Sequence, residues 1–347
     1  MPTKSKRKKL SRLQIDDYIG ISVGDLHLSD KTPVARKGDW KKTMVDHLQE
    51  LNDIQKTLKV PVFCTGDVFH EYNPSPELIN LTINNMCRMF GIPGNHDLYC
   101  HSTLDLNKTG YNVLMNAGLL EMIPYKSKLN YPIDQSPTIV ETKNGFFNVF
   151  GFPFDHAVYE LPKEKDGGTF GWSLAVIHSF IWKMNHGFKN ASEESKVAKW
   201  RKKLVGYDFA LFGDNHSGFI TSTIKNGKKN NLCNTGAFIR RTIKEVKYQP
   251  FVGLIRKDGN IEKYYLESPN NDEFHKREKA KKLEKLNSES EGMNKFAREL
   301  SFLKTTGINF EANLRAVLKR QNKYVRRIIS EMITEVEDER KRNIKNG

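Results

Sequence analysis

No apolar run in the sequence approaches the roughly 20 residues that a membrane-spanning helix needs. The basic first residues lack the apolar segment of a secretion signal, so a cytoplasmic setting is expected. Cysteine is scarce. Cys64, Cys87, Cys100 and Cys233 show no paired metal-type spacing, which argues against a thiolate metal site and fits a reducing compartment. Cys64 and Cys233 sit inside strand-like runs, where a thiol serves as small apolar filler. Acid is absent from residues 1–13, which hold six Lys/Arg. Proline is absent from residues 275–347, which hold 19 Lys/Arg against 11 Asp/Glu. Of the net charge of +15, only +1 remains for the body between these ends. Two basic ends around a near-neutral body suit a polyanionic partner.

What is present is enough for one large α/β domain with an added piece. Apolar, β-branched runs at Tyr18–Gly24, Val60–Thr65, Leu174–Ile177 and Phe209–Phe212 read as buried strands. Thr138–Glu141 and Phe147–Phe152 read as a strand pair around Lys143-Asn144-Gly145. Short strands follow at 218–224, 231–235, 251–256 and 261–266. Helical spacing covers Asp39–Leu58 and a basic segment at Ser192–Leu204. A third helix starts at Pro74-Ser75-Pro76, with Ser75 as the cap. Residues 98–135 read as loop and one helix, Tyr111–Leu120. Strand–helix alternation in the first half and strands in the second predict two facing mixed β-sheets with helices outside. The expected divisions are a basic extension (1–17), a main domain (18–270) and a charged helical arm (271–347). In the arm, Phe296, Leu300, Leu303, Leu314, Leu318, Val325, Ile328 and Met332 form an apolar stripe suited to a partner helix.

The stretch Phe90-Gly91-Ile92-Pro93-Gly94-Asn95-His96-Asp97 runs from a short apolar strand into a turn that presents an amide, an imidazole and a carboxylate. Four other strand ends finish similarly, giving Asp25, His27, Asp67, His178, Asp214 and His216. In an open sheet such ends face one crevice. A lone Asp or His after a strand is usually a cap, but five segments in succession are not explained that way. Oxygen and nitrogen donors without thiolate favour Mn²⁺, Fe²⁺, Zn²⁺ or Mg²⁺. Seven ligands exceed one tetrahedral ion and suit two ions that share a carboxylate, an arrangement fitted to phosphoester hydrolysis.

Asp25-Leu26-His27, Gly66-Asp67, Gly94-Asn95-His96-Asp97, His178 and Gly213-Asp214-Asn215-His216, in this order, resemble the calcineurin-like metallophosphoesterase superfamily over about residues 18–266. The resemblance implies a four-layer αββα sandwich. A narrower likeness lies in Gly66-Asp67-Val68-Phe69-His70-Glu71-Tyr72-Asn73-Pro74-Ser75-Pro76, and again in Asn234-Thr235-Gly236-Ala237-Phe238-Ile239-Arg240-Arg241. Both resemble the SbcD/Mre-eleven family of DNA repair nucleases.

Carried over, the resemblance implies that Asp25, His27 and His216 hold one ion and that Asn95, His178 and Asp214 hold the other. Asp67 would bridge them. His96 would serve the leaving group, oriented by Asp97, and His70 would lie near the scissile phosphate. Two Mn²⁺ ions, with Mg²⁺ as the substitute, and a DNA substrate are implied. So are an SbcC/Rad-fifty-type ATPase docked on residues 296–336 and a fold that allows a homodimer, with no membrane contact. One departure stands out: Asp214 occupies a place where the family usually has His, which hardens that site toward Mn²⁺ or Mg²⁺. Two other readings stay open. One is a phosphomonoesterase or protein phosphatase on the same fold, although Val68-Phe69-His70 and Asp97 depart from the protein-phosphatase signatures. The other is a non-catalytic binding module with a degenerate metal site.

Overall fold

The computed structural model describes residues 13, 15–125, 137–159, 161, 171–184, 191–225, 228–267, 274–288, 318, 321, 324–331 and 334. Two compact units divide the chain: Met1–Thr32 with Gly38–Glu273, and Pro33–Lys37 with Phe274–Gly347.

In the first unit, apolar runs build β1 (Tyr18–Val23), β2 (Val62–Cys64), β3 (Met89–Gly91), β4 (Leu120–Met122), β5 (Thr138–Thr142) and β6 (Gly145–Phe152). β7 (Trp172–His178), β8 (Phe209–Gly213), β9 (Phe219–Lys225), β10 (Lys228–Asn234), β11 (Phe251–Arg256) and β12 (Ile261–Tyr265) complete the set among the described residues. They form two six-stranded sheets, ordered β12-β11-β1-β2-β3-β4 and β5-β6-β7-β8-β10-β9. β1, β2, β3 and β4 run parallel, as do β6, β7, β8 and β10, while the flanking strands are antiparallel. The sheets are therefore mixed, as the pattern of elements predicts.

Alternation decides which layer each side chain joins. Phe63 of β2 turns one way and meets Phe147, Leu174, Val176, Phe209 and Leu211 of the second sheet. Its neighbours Val62 and Cys64 turn the other way, toward α1 (Trp40–Leu58), α2 (Pro76–Asn85) and α3 (Gly110–Asn116). On the far face of the second sheet, Ala175, Ile177, Ala210 and Phe212 pack with Val197 and Trp200 of α4 (Val197–Lys203). Helices, sheet, sheet and helix thus stack as four layers. Each fully buried ring such as Phe63 or Phe147 contributes about 2 kcal/mol through removal from water. Asp39 caps α1, its carboxylate accepting the Lys42 N–H at 2.9 Å. Ser75 caps α2 as expected, and its own N–H donates to Asp30 at 3.0 Å, which ties the 70–75 loop down.

Two elements differ from expectation. β4 falls where helix and loop were predicted. It has three residues, too few to show a period, and it is an edge strand beside β3. The basic helix is shorter than predicted: Glu193–Ser195 is a separate 3₁₀ turn, because Ser192 caps it and Lys196 is extended.

In the second unit, Arg36 bridges antiparallel to Phe274 with its guanidinium 5.2 Å from the ring centre, and the His275 N–H donates to Ala35. Residues 277–288 are helical, as are 324–331, where Val325 is buried. Phe296, Leu300, Leu303, Leu314 and Met332 of the predicted stripe lie outside the described residues. No helix among the described residues is long and apolar enough to cross a membrane.

Candidate metal centre

The carboxyl ends of β1, β2, β3, β7 and β8 bring the sequence-predicted donors together. Two loops form the base. Past β1 and β2 the chain runs on in parallel, with Asp25 N–H to Gly66 O (3.1 Å), His27 N–H to Asp67 O (2.9 Å), Leu28 N–H to Val68 O (3.0 Å) and His70 N–H to Leu28 O (2.9 Å). This main-chain zipper sets the spacing of Asp25, His27, Asp67 and His70. Strained backbone accompanies it: Asp25 (φ 50°), His27 (φ 45°) and Asp67 (φ 53°) within these loops, and Asp214 (φ 80°) after β8, all occupy the left-handed region. Such conformations cost non-glycine residues about 1 kcal/mol or more and cluster at functional sites.

Asp25, His27, Asp67 and His178 are buried, whereas Asn95, His96, His70, Asp214 and His216 are partly open to solvent. Asp67 sits centrally. Its Oδ1 accepts the His96 N–H at 2.9 Å, and its Oδ2 lies 3.4 Å from His27 Nε2 and 3.5 Å from His178 Nε2. Beyond these rings, His27 Nε2 faces His216 Nε2 at 3.0 Å, and His178 Nε2 faces Asn95 Oδ1 at 3.0 Å. Asp25 Oδ1 accepts the Asp214 N–H at 2.9 Å, while its Oδ2 is buried with no hydrogen-bond partner. The Asp214 carboxyl lies within electrostatic reach of His178 and Asp67. Donor atoms lie within 4.8 Å of one another in two groups, Asp25–Asp67–His178 and His27–His70–His96. His70 and His96 therefore share a grouping with His27.

Each ring has a fixed orientation. His178 Nδ1–H donates to Thr65 O at 2.6 Å, which leaves Nε2 as the free nitrogen. His216 Nδ1–H donates to Glu245 Oε1 at 2.9 Å, which turns Nε2 toward His27. His96 Nδ1–H donates to His70 O at 2.7 Å, and the two rings stack at 5.0 Å. Asp97 does not do what the sequence reading expects. Its carboxylate accepts the N–H groups of Val68 (3.2 Å), Phe69 (3.0 Å) and Gly94 (3.0 Å), so it fastens the Gly94 turn to the β2 loop rather than orienting His96. Gly94 is required for space: a Cβ there would lie 2.1 Å from Asp67 Oδ1 and 2.6 Å from His178 Cε1.

The arrangement fits divalent cations. Ligands held about 2.0–2.2 Å from one ion at right angles lie about 3 Å apart, close to the His27–His216 and His178–Asn95 separations. The unpartnered Asp25 Oδ2 and the strictly oxygen–nitrogen donor set point the same way. Burial, with neighbouring positive groups, holds His27 well below its ordinary value, so the ring is in the neutral form that ligates. Burial pushes Asp25 up to about 7. At His216 burial opposes the charged form, but the Glu245 hydrogen bond and the Asp25 carboxylate outweigh it and raise the ring to about 9.

Glu245 is absent from the sequence reading. Its second oxygen accepts the Arg241 and Thr242 N–H groups at 2.6 and 3.0 Å. The only local signal is Thr242-Ile243-Lys244-Glu245, a capping-box pattern. Arg241, whose charge helps to depress His70 and His27 after burial, was likewise given no role. A measurable consequence follows from Glu245. At pH 7.5 the His216 ring carries a proton that ligation displaces, so Mn²⁺ uptake is expected to release protons, seen as buffer-dependent heats in titration calorimetry. Above about pH 9 that contribution disappears. Glu245→Gln is expected to weaken Mn²⁺ binding about 10–100-fold and to diminish the release.

Residues 21–218 match the family model described as calcineurin-like phosphoesterase. Among solved structures, the chain is similar to a sulfate thiohydrolase, SoxB, from Thermus thermophilus in complex with glycerol. That likeness has 11% identity and a TM-score of 0.42, covering 77% of this chain and 59% of that one. It is also similar to a phosphopantetheinyl hydrolase from Mycobacterium tuberculosis, with 12% identity and a TM-score of 0.33, covering 64% of this chain and 90% of that one. The chain thus spans under two thirds of the first of these structures. No curated protein matches the chain.

Proposed function

Because the chain belongs to the calcineurin-like phosphoesterase family, we propose that it is a phosphodiesterase that holds two divalent cations and cuts DNA in the manner of the SbcD-like repair nucleases. The observation that carries the two-cation reading is the place of Asp67. One carboxylate oxygen lies 3.4 and 3.5 Å from rings that each face a further donor, so it can serve two ions at once. Asp25, His27 and His216 would hold one, and Asn95, His178 and Asp214 the other. When bound, such cations supply neutralisation of phosphate charge and a water of lowered pKa. The oxygen of Asp214, in place of imidazole nitrogen, favours Mn²⁺ or Mg²⁺.

The chain's own contribution is positioning and proton transfer. His96, held through Nδ1–H by the His70 carbonyl, keeps Nε2 for the departing oxygen, and would pass it a proton from the form of the ring that carries N–H on both nitrogens. Burial and the Arg241 charge lower His70 to about 2, so this ring stays neutral and does not compete as an acid. The DNA reading is supported by the Val68-Phe69-His70 segment and by the basic ends, which neutralise phosphates without reading sequence. Residues 296–336 are proposed to dock a partner ATPase of the SbcC/Rad-fifty kind.

The test is cleavage of end-labelled single- and double-stranded DNA with Mn²⁺, alongside hydrolysis of bis-p-nitrophenyl phosphate. Nitrophenolate leaves without a proton, whereas a nucleoside alkoxide does not. His96→Ala is therefore expected to slow DNA cleavage about 10²–10⁴-fold and to slow the nitrophenyl ester far less. Equal losses on both substrates contradict the leaving-group role. Hydrolysis of the nitrophenyl ester with intact DNA removes the proposed substrate and keeps the chemistry.

A further inference from the structure

Two loops on the same rim as the metal centre carry strain that the ligands do not explain. After β3, Cys100 (φ 49°) and His101 (φ 58°) are both left-handed, and after β6 so is Asp155 (φ 62°). Unfavourable backbone of this kind persists where surrounding contacts impose it, often at ligand clamps. The side chains these loops place are rings. His101 is exposed, and its Nδ1–H donates to Asn95 O at 3.1 Å, which fastens it to a residue of the centre. Phe154 is half-buried, with its ring centre 5.7 Å from His101 and 6.4 Å from His178. The three rings step inward from solvent to a buried donor. A second aromatic pair near the centre, Tyr72 and Tyr99, differs. Its rings meet edge to face at 5.1 Å, and the Lys108 ammonium lies over Tyr99 at 5.3 Å, so Tyr99 is covered on both counts.

We propose that His101 and Phe154 form a stacking step for one unpaired nucleobase, beside the Asn95–His178 edge of the centre. This rests on the nuclease reading above. A base joined through its sugar to a phosphate at the centre lies about one sugar away, and the Phe154 ring stands 6.4 Å from His178 with His101 5.7 Å farther out. Stacking on aromatic faces is tolerant of sequence, because every base has a π-face, and it requires that the base be out of a duplex. The step therefore assigns the enzyme a preference for strand ends and single strands. It also makes these two rings positioning residues, since neither reaches the reacting phosphorus.

The test compares single-stranded oligothymidylate with the same strand carrying one abasic residue, placed in turn at each position around the cut. For the wild type, one abasic position is expected to raise KM about tenfold with little change in kcat. In His101→Ala and Phe154→Ala that discrimination is expected to shrink to about twofold, and Phe154→Trp is expected to restore it. A ring that served only to pack the loop would alter both substrates alike. Wild type that cuts intact and abasic strands equally overturns the stacking step and leaves the nuclease reading standing. Undiminished discrimination in both His101→Ala and Phe154→Ala, with each variant shown folded by its thermal unfolding, also overturns it. Wild type that hydrolyses bis-p-nitrophenyl phosphate but neither oligonucleotide overturns the nuclease reading and this proposal with it.

Discussion

Asp67→Asn is expected to lower turnover at least about a thousandfold while the chain stays folded. The amide keeps an oxygen at the place of Oδ1, so the His96 N–H at 2.9 Å retains its acceptor. Asn also tolerates the left-handed backbone at this position, φ 53°. What disappears is the negative charge on Oδ2, midway between His27 at 3.4 Å and His178 at 3.5 Å. If that oxygen joins two cations, its loss weakens both. Cation stabilisation of the transition state is worth several kcal/mol, and about 4 kcal/mol is a thousandfold. The check is kcat/KM on bis-p-nitrophenyl phosphate together with metal content per chain, which should fall from two to one or fewer. Two tightly held ions and undiminished turnover in the variant would sink the bridging role.

Asp97→Ala is expected to be as damaging, but through stability. The wild-type carboxylate is fully buried and receives three backbone N–H groups, from Val68, Phe69 and Gly94. Alanine leaves all three as buried donors without acceptors. Each costs about 1–3 kcal/mol, so the sum, about 3–9 kcal/mol, is a large share of a typical domain's stability. A fall in Tm of about 10 °C or more is expected by thermal unfolding, with the Gly94 turn released from the β2 loop. Asp97→Asn, which keeps one acceptor oxygen, should fall between. If Asp97 acted only by orienting His96, alanine would reduce kcat and leave Tm unchanged. The two roles are thus separable in one pair of measurements.

The residue types that end the strands were legible because they violate the apolar pattern that precedes them. His178 follows Leu174–Ile177 directly, and Asp214 follows Phe209–Gly213, so chemistry stands out against core. The two mixed sheets were legible from the order of elements, strand and helix alternating in the first half and strands following one another in the second. Local spacing could not tell which group orients which. His178 and His216 are turned by Thr65 and Glu245, partners 113 and 29 residues away, and one of them is a main-chain oxygen that any residue could supply. Asp97 was misread because adjacency to His96 suggests contact, whereas a helical or turned backbone sends neighbouring side chains apart. Gly94 was read as a turn former. Its need is volume, set by Asp67 and His178, and neither is near it in sequence.

The facing pair His27 and His216 lies 189 residues apart in the chain. A chain emerging from the ribosome therefore presents Asp25, His27 and Asp67 well before β8 exists to deliver Asp214 and His216. Until then neither set of donors is complete: Asp25 and His27 lack His216, and Asn95 and His178 lack Asp214. Synthesis itself thus sets the order of assembly: the donors of the first sheet wait for those that β7 and β8 of the second sheet deliver.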